Sequence, residues 1–289
     1  MKSRLPDLAL WAVAVVWGGT FLATRIALGA GSGPFFFVGL RFGTAALVTV
    51  LLLRGRLKGL TRQDVVAAVA IGIPMAAGYL LQTGGLLSVS SSMSAFLTAL
   101  YVPLVPLIQW AALRRAPQLM SWIGILLAFA GLVLIANPSG GSLGFGRGEW
   151  MTLASAIAFS AEIILIGCYA ESIDAGRVAA LDLIIVAVAG FVAMPLTGES
   201  FHAPTATVLA CGIGLGIASA FIQLAMNWAQ RTVSPTRATL IYSSEPVFAG
   251  MLGRFAGERL GMMGWAGAAL ILCGVIVSEL KPRRWRPRD

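Results

Sequence analysis

The chain has 289 residues, of which 58% are hydrophobic and only 11% charged, with a mean hydropathy of +0.86 and a net charge of +9. Soluble domains carry about 25% charged residues, so this composition excludes a water-soluble globule and points to a membrane protein. The three cysteines, Cys168, Cys211 and Cys273, are odd in number, lack metal-ligand spacing and fall inside apolar stretches, which excludes a disulfide framework and makes them packing residues.

Apolar runs of about 18–22 residues recur from end to end, each long enough as a helix to cross roughly 30 Å of hydrocarbon. They predict ten transmembrane helices, over 8–28, 35–53, 64–84, 92–113, 119–136, 149–170, 178–196, 205–229, 236–256 and 261–280. None of the runs alternates with period two, so a transmembrane β-barrel is excluded and the fold class is all-α. The first run follows Lys2 and Arg4 but is longer than the roughly 7–15 apolar residues of a secretory leader, and is read as helix one.

Polar side chains fall on these helices at helical spacing. Helix one carries Trp17, Thr20 and Thr24, and helix two carries Arg41 about two turns in. Helix three has Tyr79 and Gln82 at i and i+3, and helix four has Ser94, Thr98 and Tyr101 at i, i+4 and i+7, with Pro103 near its centre. The segment "NPSGGSLGFGRG" that follows helix five has the composition of a flexible linker and lacks the spacing of a phosphate loop. Helix six presents Ser155, Phe159 and Glu162 on one stripe, and helix eight presents Gln223 and Asn227. Helix nine reads "ATLIYSSEPVFAGML", where Tyr242, Ser244 and Glu245 precede Pro246. Each proline removes a backbone hydrogen bond and is expected to kink its helix and free the carbonyl four residues back, at Ala99 and Tyr242. Glycines at Gly212/Gly216, Gly253/Gly257 and Gly257/Gly261 give small-xxx-small spacing for close helix approach.

The chain resembles itself. Pro103 and Pro246 stand 246 − 103 = 143 positions apart, and the same offset joins Trp122 to Trp265, Gly124 to Gly267 and Gly131 to Gly274. Five helices per half is an odd number, so the second copy is expected upside down: two inverted five-helix repeats, residues 1–137 and 149–281, joined by a linker at 138–148 and followed by a basic tail at 282–289. The charge supports this threading. Lys2, Arg4, Arg54, Arg56, Lys58, Arg62, Arg114, Arg115, Arg177, Arg231, Arg237 and the tail flank one side; Arg25, Arg147, Arg254 and Arg259 flank the other. The positive-inside rule then puts both termini in the cytoplasm, with "KPRRWRP" as an anchor on the anionic leaflet rather than a nucleic-acid arm.

Single Ser, Thr, Asn and Gln residues in such helices often only bind neighbouring helices, worth about 0.6 kcal/mol each. The glutamates are different, because an ionised carboxylate at mid-depth costs at least about 2.5 kcal/mol on insertion scales. Their repeat mates are apolar, Val102 opposite Glu245 and Ala23 roughly opposite Glu162, so the acids are additions to the symmetric frame. Arg41 is a candidate structural partner for one of them. Together the stripes predict a hydrated hollow between the halves lined by Trp17, Thr20, Tyr79, Gln82, Ser94, Thr98, Tyr101, Glu162, Gln223, Asn227, Tyr242, Ser244 and Glu245, with no metal or cofactor motif.

The opening "LWAVAVVWGGTFLATRIALGAGSGPFFFVGLRFGTAAL", with Trp17-Gly18, Pro34 and Arg41, is similar to that of drug/metabolite transporters of the EamA type. "SSSMSAFLTALYVPLVPL" and the second-half segment with Glu-Pro followed by a Gly-Glu-Arg-Leu turn resemble the two repeat ends of that family. Helix four ends instead in "AALRRAPQ", a departure from the family's turn. The resemblance implies ten helices in two inverted halves around a cavity built by helices one, three, four, six, eight and nine. The lysines, Lys2, Lys58 and Lys281, all lie at the surface, which disfavours a phosphorylated solute and favours a neutral or zwitterionic one with an apolar part. Inner-membrane export of amino acids by alternating access, as in exporters of the YddG type, is the leading expectation, with a small-molecule substrate, the lipid bilayer and a monomer as its setting. The alternatives are proton-coupled export of lipophilic drugs, an intramembrane enzyme, disfavoured because His202 lies in a loop and no HExxH or GxSxG occurs, and a channel.

Overall fold

A computed structural model of the chain describes residues 4–113, 119–136, 145–258 and 261–278. Most of the linker, residues 114–118, Arg259 with Leu260, and the tail at 282–289 lie outside the described residues. The helices are α1 (Leu5–Gly29), α2 (Pro34–Leu57), α3 (Arg62–Gly85), α4 (Ser91–Thr98), α5 (Tyr101–Leu113), α6 (Leu119–Ala136), α7 (Arg147–Tyr169), α8 (Ala175–Thr197), α9 (Ala206–Ala229), α10 (Pro235–Tyr242), α11 (Glu245–Phe255) and α12 (Met262–Ser278). Among the described residues, seven stretches are long and apolar enough to cross a membrane: α1, α2, α3, Ser91–Ala112, α7, α8 and α9. Shorter apolar stretches occupy Trp122–Gly131 in α6 and Met262–Gly274 in α12. The outer face is as apolar as the interior, with Leu51, Ile73, Leu126, Phe129 and Phe221 all prominent on it. Water would penalise that surface and lipid does not, so the chain is a multi-pass membrane protein.

Helix starts follow local chemistry. Thr61 caps α3 in a reciprocal box with Asp64, Ser90 caps α4, Asp174 caps α8, Thr205 caps α9 and Ser234 caps α10, each side chain accepting from backbone N–H groups that the helix leaves unpaired. Asp64 also accepts from Asp174 N and faces the Arg177 guanidinium at 3.3 Å, which ties the starts of α3 and α8 together.

Helices four and nine of the sequence reading are each split in two. The breaks fall at Ala99–Leu100 and Ser243–Ser244, just before the first turns that contain Pro103 and Pro246. Both are tightened turns rather than open gaps, with i to i−3 bonds from Leu100 N to Leu97 O, Val102 N to Ala99 O, Ser244 N to Ile241 O and Val247 N to Ser244 O. The Ala99 carbonyl expected to be freed by Pro103 is therefore occupied, at 3.1 Å from Val102 N. A proline in the first turn has no helix bond to lose, so the strain is relieved by restarting the helix.

Packing follows pairs. α2 runs along α8 and α6 along α12; α3 packs on α7 as α1 does on α9; α3 meets α8 as α2 meets α9; α1 packs on α10 and α11, and α7 on α4 and α5. Glycines permit the closest of these approaches. A Cβ on Gly216 would lie 2.6 Å from the Arg41 carbonyl, and one on Gly131 2.5 Å from the Gly267 carbonyl. The expected series Gly253, Gly257, Gly261 does not work this way. α11 ends at Phe255, Gly257 turns the chain at φ +86°, and nothing lies near Gly261. Nor are the cysteines all core packing, since Cys168 and Cys273 are exposed on the outer face and only Cys211 is partly covered.

The Gly257 turn aims Glu258 at the start of α4. Its two oxygens accept from the backbone N–H groups of Ser91 and Ser92, at 2.9 and 3.0 Å, and from both hydroxyls. Partial burial pushes the Glu258 carboxyl up, but these four bonds outweigh it and hold its pKa below the ordinary glutamate value. A folded pKa below the unfolded one means that this clasp stabilises fully above the unfolded value, about 4.3, and is lost as pH falls through the lower folded value. Thermal unfolding in detergent is expected to show an acid limb below about pH 4.3 that flattens in Glu258→Gln; an unchanged limb in that variant assigns the acid sensitivity elsewhere.

Candidate functional site

Between the halves lies a cavity lined by Trp17, Thr20 and Phe21 of α1, Tyr79 and Gln82 of α3, Thr98 of α4, Tyr101 of α5, Phe159, Glu162 and Ile163 of α7, and Glu245 of α11. The α3 and α7 side chains reach it because those helices pack closely: a Cβ on Gly78 would meet the Phe159 ring at 2.6 Å, and a Cβ on Gly85 or on Gly148 would lie 2.8 Å from the other's carbonyl. The two helix breaks place Tyr101 and Glu245 at the beginnings of α5 and α11.

The polar groups are mostly paired across elements. Tyr101 donates its hydroxyl to Glu245 Oε2 at 3.1 Å, Gln82 Nε2 donates to Thr98 Oγ1 at 3.2 Å, and Thr20 Oγ1 donates to the Trp17 carbonyl at 2.9 Å. Ser160 of α7 donates to the Ala156 carbonyl at 2.7 Å, and its hydroxyl lies 3.3 Å from the Tyr101 carbonyl, which sets the α5 start against α7. Trp17 Nε1 is a buried donor with no acceptor. Aromatic rings form the walls, with Tyr79 edge-on to Phe159 at 5.0 Å and Trp17 edge-on to Tyr242 at 5.0 Å.

The hollow is small. It holds about 20 Å³, room for a single water molecule, against the roughly 300 Å³ or more of sites that enclose drug-sized ligands. This conformation is closed, and admission of an organic solute requires the walls to move apart.

Eight of the thirteen candidate residues, Trp17, Thr20, Tyr79, Gln82, Thr98, Tyr101, Glu162 and Glu245, meet at this cavity. Five do not line it. Ser94 is fully buried with an unpartnered Oγ. Tyr242 is fully buried behind Trp17, and its hydroxyl has no hydrogen-bond partner. Ser244 faces a separate lateral pocket with Asp7, Trp11 and Arg237, as successive helical residues point in different directions. Gln223 and Asn227 of α9 turn toward α8, where both amides point at Asp182.

Arg41 departs from the expected bridge. It is buried, donates from Nε to Ser219 Oγ at 2.9 Å and lies over the Phe42 and Tyr79 rings at 5.0 and 5.1 Å. Among the described residues it makes no ion pair, and the rings and hydroxyl take the place of a carboxylate. Asp182 is the residue that sequence reasoning missed. An acid inside the apolar run 178–196 satisfies the same criterion that singled out Glu162, and the structure buries it completely.

The EamA-like transporter family model matches this chain twice, over residues 4–137 and 146–280. A protein of Archaeoglobus fulgidus named "Uncharacterized transporter" is 30% identical over 282 residues, covering 97% of this chain and 88% of its own. The "Uncharacterized inner membrane transporter YedA" of Escherichia coli K12 is 27% identical over 286 residues, covering 94% and 90%. A solved structure titled "Crystal structure of protein" shares the fold, with a TM-score of 0.73 at 20% identity over 96% of this chain and 99% of that one. With two family matches that span nearly the whole chain and a relative aligned along almost all of it, this chain belongs to the EamA-like transporter family.

Proposed function

We propose that the protein is an inner-membrane secondary transporter that exports amino acids, neutral with apolar or aromatic side chains, or similar small metabolites, by alternating access. The observation that carries this reading is the composition of the central cavity: two carboxyl groups, Glu162 and Glu245, set among Trp17, Tyr79, Tyr101 and Phe159, with no cation among its lining residues. Such a lining suits an ammonium group held by a carboxylate and an apolar side chain held by rings. The free donor of Trp17 supplies a partner for the solute carboxylate.

The architecture in this proposal is two inverted five-helix halves, 1–137 and 149–281, with both termini cytoplasmic. Helices α4 with α5, and α10 with α11, each count as one interrupted span. The packing supports it: exchange of the halves turns each helix pairing described above into another of the same set, α3 on α7 into α9 on α1 and α2 on α9 into α8 on α3. The cavity draws walls from both halves, so a rocking of one against the other opens it, as the closed volume requires.

The test is flux in liposomes carrying the purified protein. Saturable counterflow of phenylalanine, methionine or threonine is expected. Flux of a lipophilic amine that responds to a pH gradient, with none of amino acids, would replace this reading with proton-coupled drug export, which the aromatic walls also suit.

A further inference from the structure

On the outer face, away from the central cavity, a second pocket of about 370 Å³ opens where the ends of α2 and α9 meet the start of α8. Its walls are apolar, from Leu53 of α2 and from Phe221, Leu224, Ala225 and Trp228 of α9. Phe221 and Trp228 are exposed, so the pocket opens to the bilayer and not to the solute site.

The rim carries two cations, Arg56 and Arg231. Arg231 donates from Nε to the Ala170 carbonyl at 3.2 Å and from Nη2 to the Ile173 carbonyl at 3.0 Å, so the turn between α7 and α8 fixes the guanidinium in place. Its Nη1 takes no part in these bonds and stays available to an anion. Arg56 is exposed, and among the described residues its guanidinium enters no ion pair or hydrogen bond; only its backbone carbonyl is engaged, by Arg177 Nε. The acid at the rim, Asp174, is occupied as the cap of α8, where its Oδ1 accepts from Gly176 N at 3.0 Å and Arg177 N at 3.1 Å.

The helix frame does not demand these groups. The family model matches each half, and in chain order α2 corresponds to α8 and α3 to α9. Counted from the helix ends, Leu196 stands where Arg56 does, Gly84 where Trp228 does and Leu87 where Arg231 does. The corresponding place in the fold therefore has neither the cations nor the ring.

A rim of two arginines over an apolar groove suits a phosphate that carries a hydrocarbon chain. Guanidinium forks match phosphate oxygens, and Trp228 lies at the end of its helix, where an indole prefers the headgroup level. A zwitterionic phospholipid brings a cationic group that two guanidiniums repel, so the rim selects an anionic one. Free phosphate has no part that Phe221 and Leu224 can bury. We propose that this pocket binds an anionic phospholipid of the inner leaflet, with its phosphate on Arg56 and Arg231 and an acyl chain along Leu53, Phe221 and Leu224. The choice of leaflet rests on the orientation proposed above; the class of lipid does not, and neither depends on which solute is carried. Arg56 belongs to the first half and Arg231 to the second, so one bound lipid joins the two at this rim.

Brominated lipids quench tryptophans that they touch, and the fluorescence difference between wild type and Trp228→Phe isolates Trp228 among the eight tryptophans. With the full chain in phosphatidylcholine vesicles, brominated phosphatidylglycerol is expected to quench Trp228 at a lower mole fraction than brominated phosphatidylcholine does. Arg56→Gln is expected to weaken the phosphatidylglycerol effect about tenfold, the loss of one hydrogen bond to a charged group, and to leave the phosphatidylcholine effect unchanged. That variant keeps the contacts of Arg231 with Ala170 and Ile173, so the fold is not at stake. Equal quenching by the two lipids, or a phosphatidylglycerol effect that survives intact in Arg56→Gln, overturns the proposal. Displacement of the brominated phosphatidylglycerol by inorganic phosphate, at matched ionic strength, assigns the rim to a free anion and overturns it as well.

Discussion

Glu245→Gln is expected to reduce saturable solute flux in liposomes by roughly one to two orders of magnitude, the equivalent of the about 1.5–3 kcal/mol that a hydrogen bond to a charged group supplies. The substitution keeps the shape of the side chain and its capacity to accept from Tyr101, at 3.1 Å in the native protein, but removes the charge that would pair with a solute ammonium. Its effect on folding has the opposite sign. An ionisable group at that depth costs free energy to bury, so the amide is expected to leave the folded yield unchanged or raised. Tyr101→Phe separates the two roles further, because it leaves Glu245 in place without its donor. Flux is expected to fall while Glu245→Gln on that background adds less than it does alone, since the two side chains act as one unit. Parallel losses of flux and of monodisperse protein in each variant would identify the pair as structural glue and remove the main support for the transport site.

What could be seen in the sequence divides along physical lines. The spans were legible because the hydrocarbon thickness imposes a length and a composition on every crossing segment, which is why α1, α2, α3, α7, α8 and α9 begin and end within a few residues of the apolar runs. Stripe positions such as Phe159 with Glu162, or Tyr79 with Gln82, were legible because 3.6 residues per turn fixes which side chains share a face. That rule fails where the helix stops being regular. Tyr242 and Glu245, three apart across the α10–α11 break, would share a face of a regular helix, yet Glu245 lines the cavity and Tyr242 is buried behind Trp17. Periodicity also cannot say which neighbour a face meets. Gln223 and Asn227 share a stripe as expected, yet the stripe meets Asp182 of α8 rather than the cavity. Arg41 shows the limit for charges: a cation in an apolar run demands a partner, and the sequence does not tell a carboxylate from two aromatic faces and a serine hydroxyl.

The largest effect on the fold itself is expected at Gly190. A Cβ there would lie 2.5 Å from the Gly39 nitrogen, 2.9 Å from its Cα and 3.0 Å from the Phe35 carbonyl, all backbone atoms of α2. A clash with a flexible side chain is relieved by a rotamer change, whereas a clash with backbone forces the helices apart along their length. Without a hydrophobic drive between helices in lipid, that contact is what holds α8 to α2. Gly190→Ala is therefore expected to destabilise by about 1–3 kcal/mol or more, in the range of overpacked cores, and to lower the yield of monodisperse protein in detergent. Gly214 is the internal control: it lies in the regular part of α9, on the outer face, with nothing within 4 Å of the place an alanine methyl would take. Gly214→Ala is expected to leave stability unchanged or raise it by up to about 1 kcal/mol, since alanine is the better helix former. Equal losses at the two positions would mean that the approach of α8 to α2 does not set the cost, because helix propensity alone favours alanine over glycine at both.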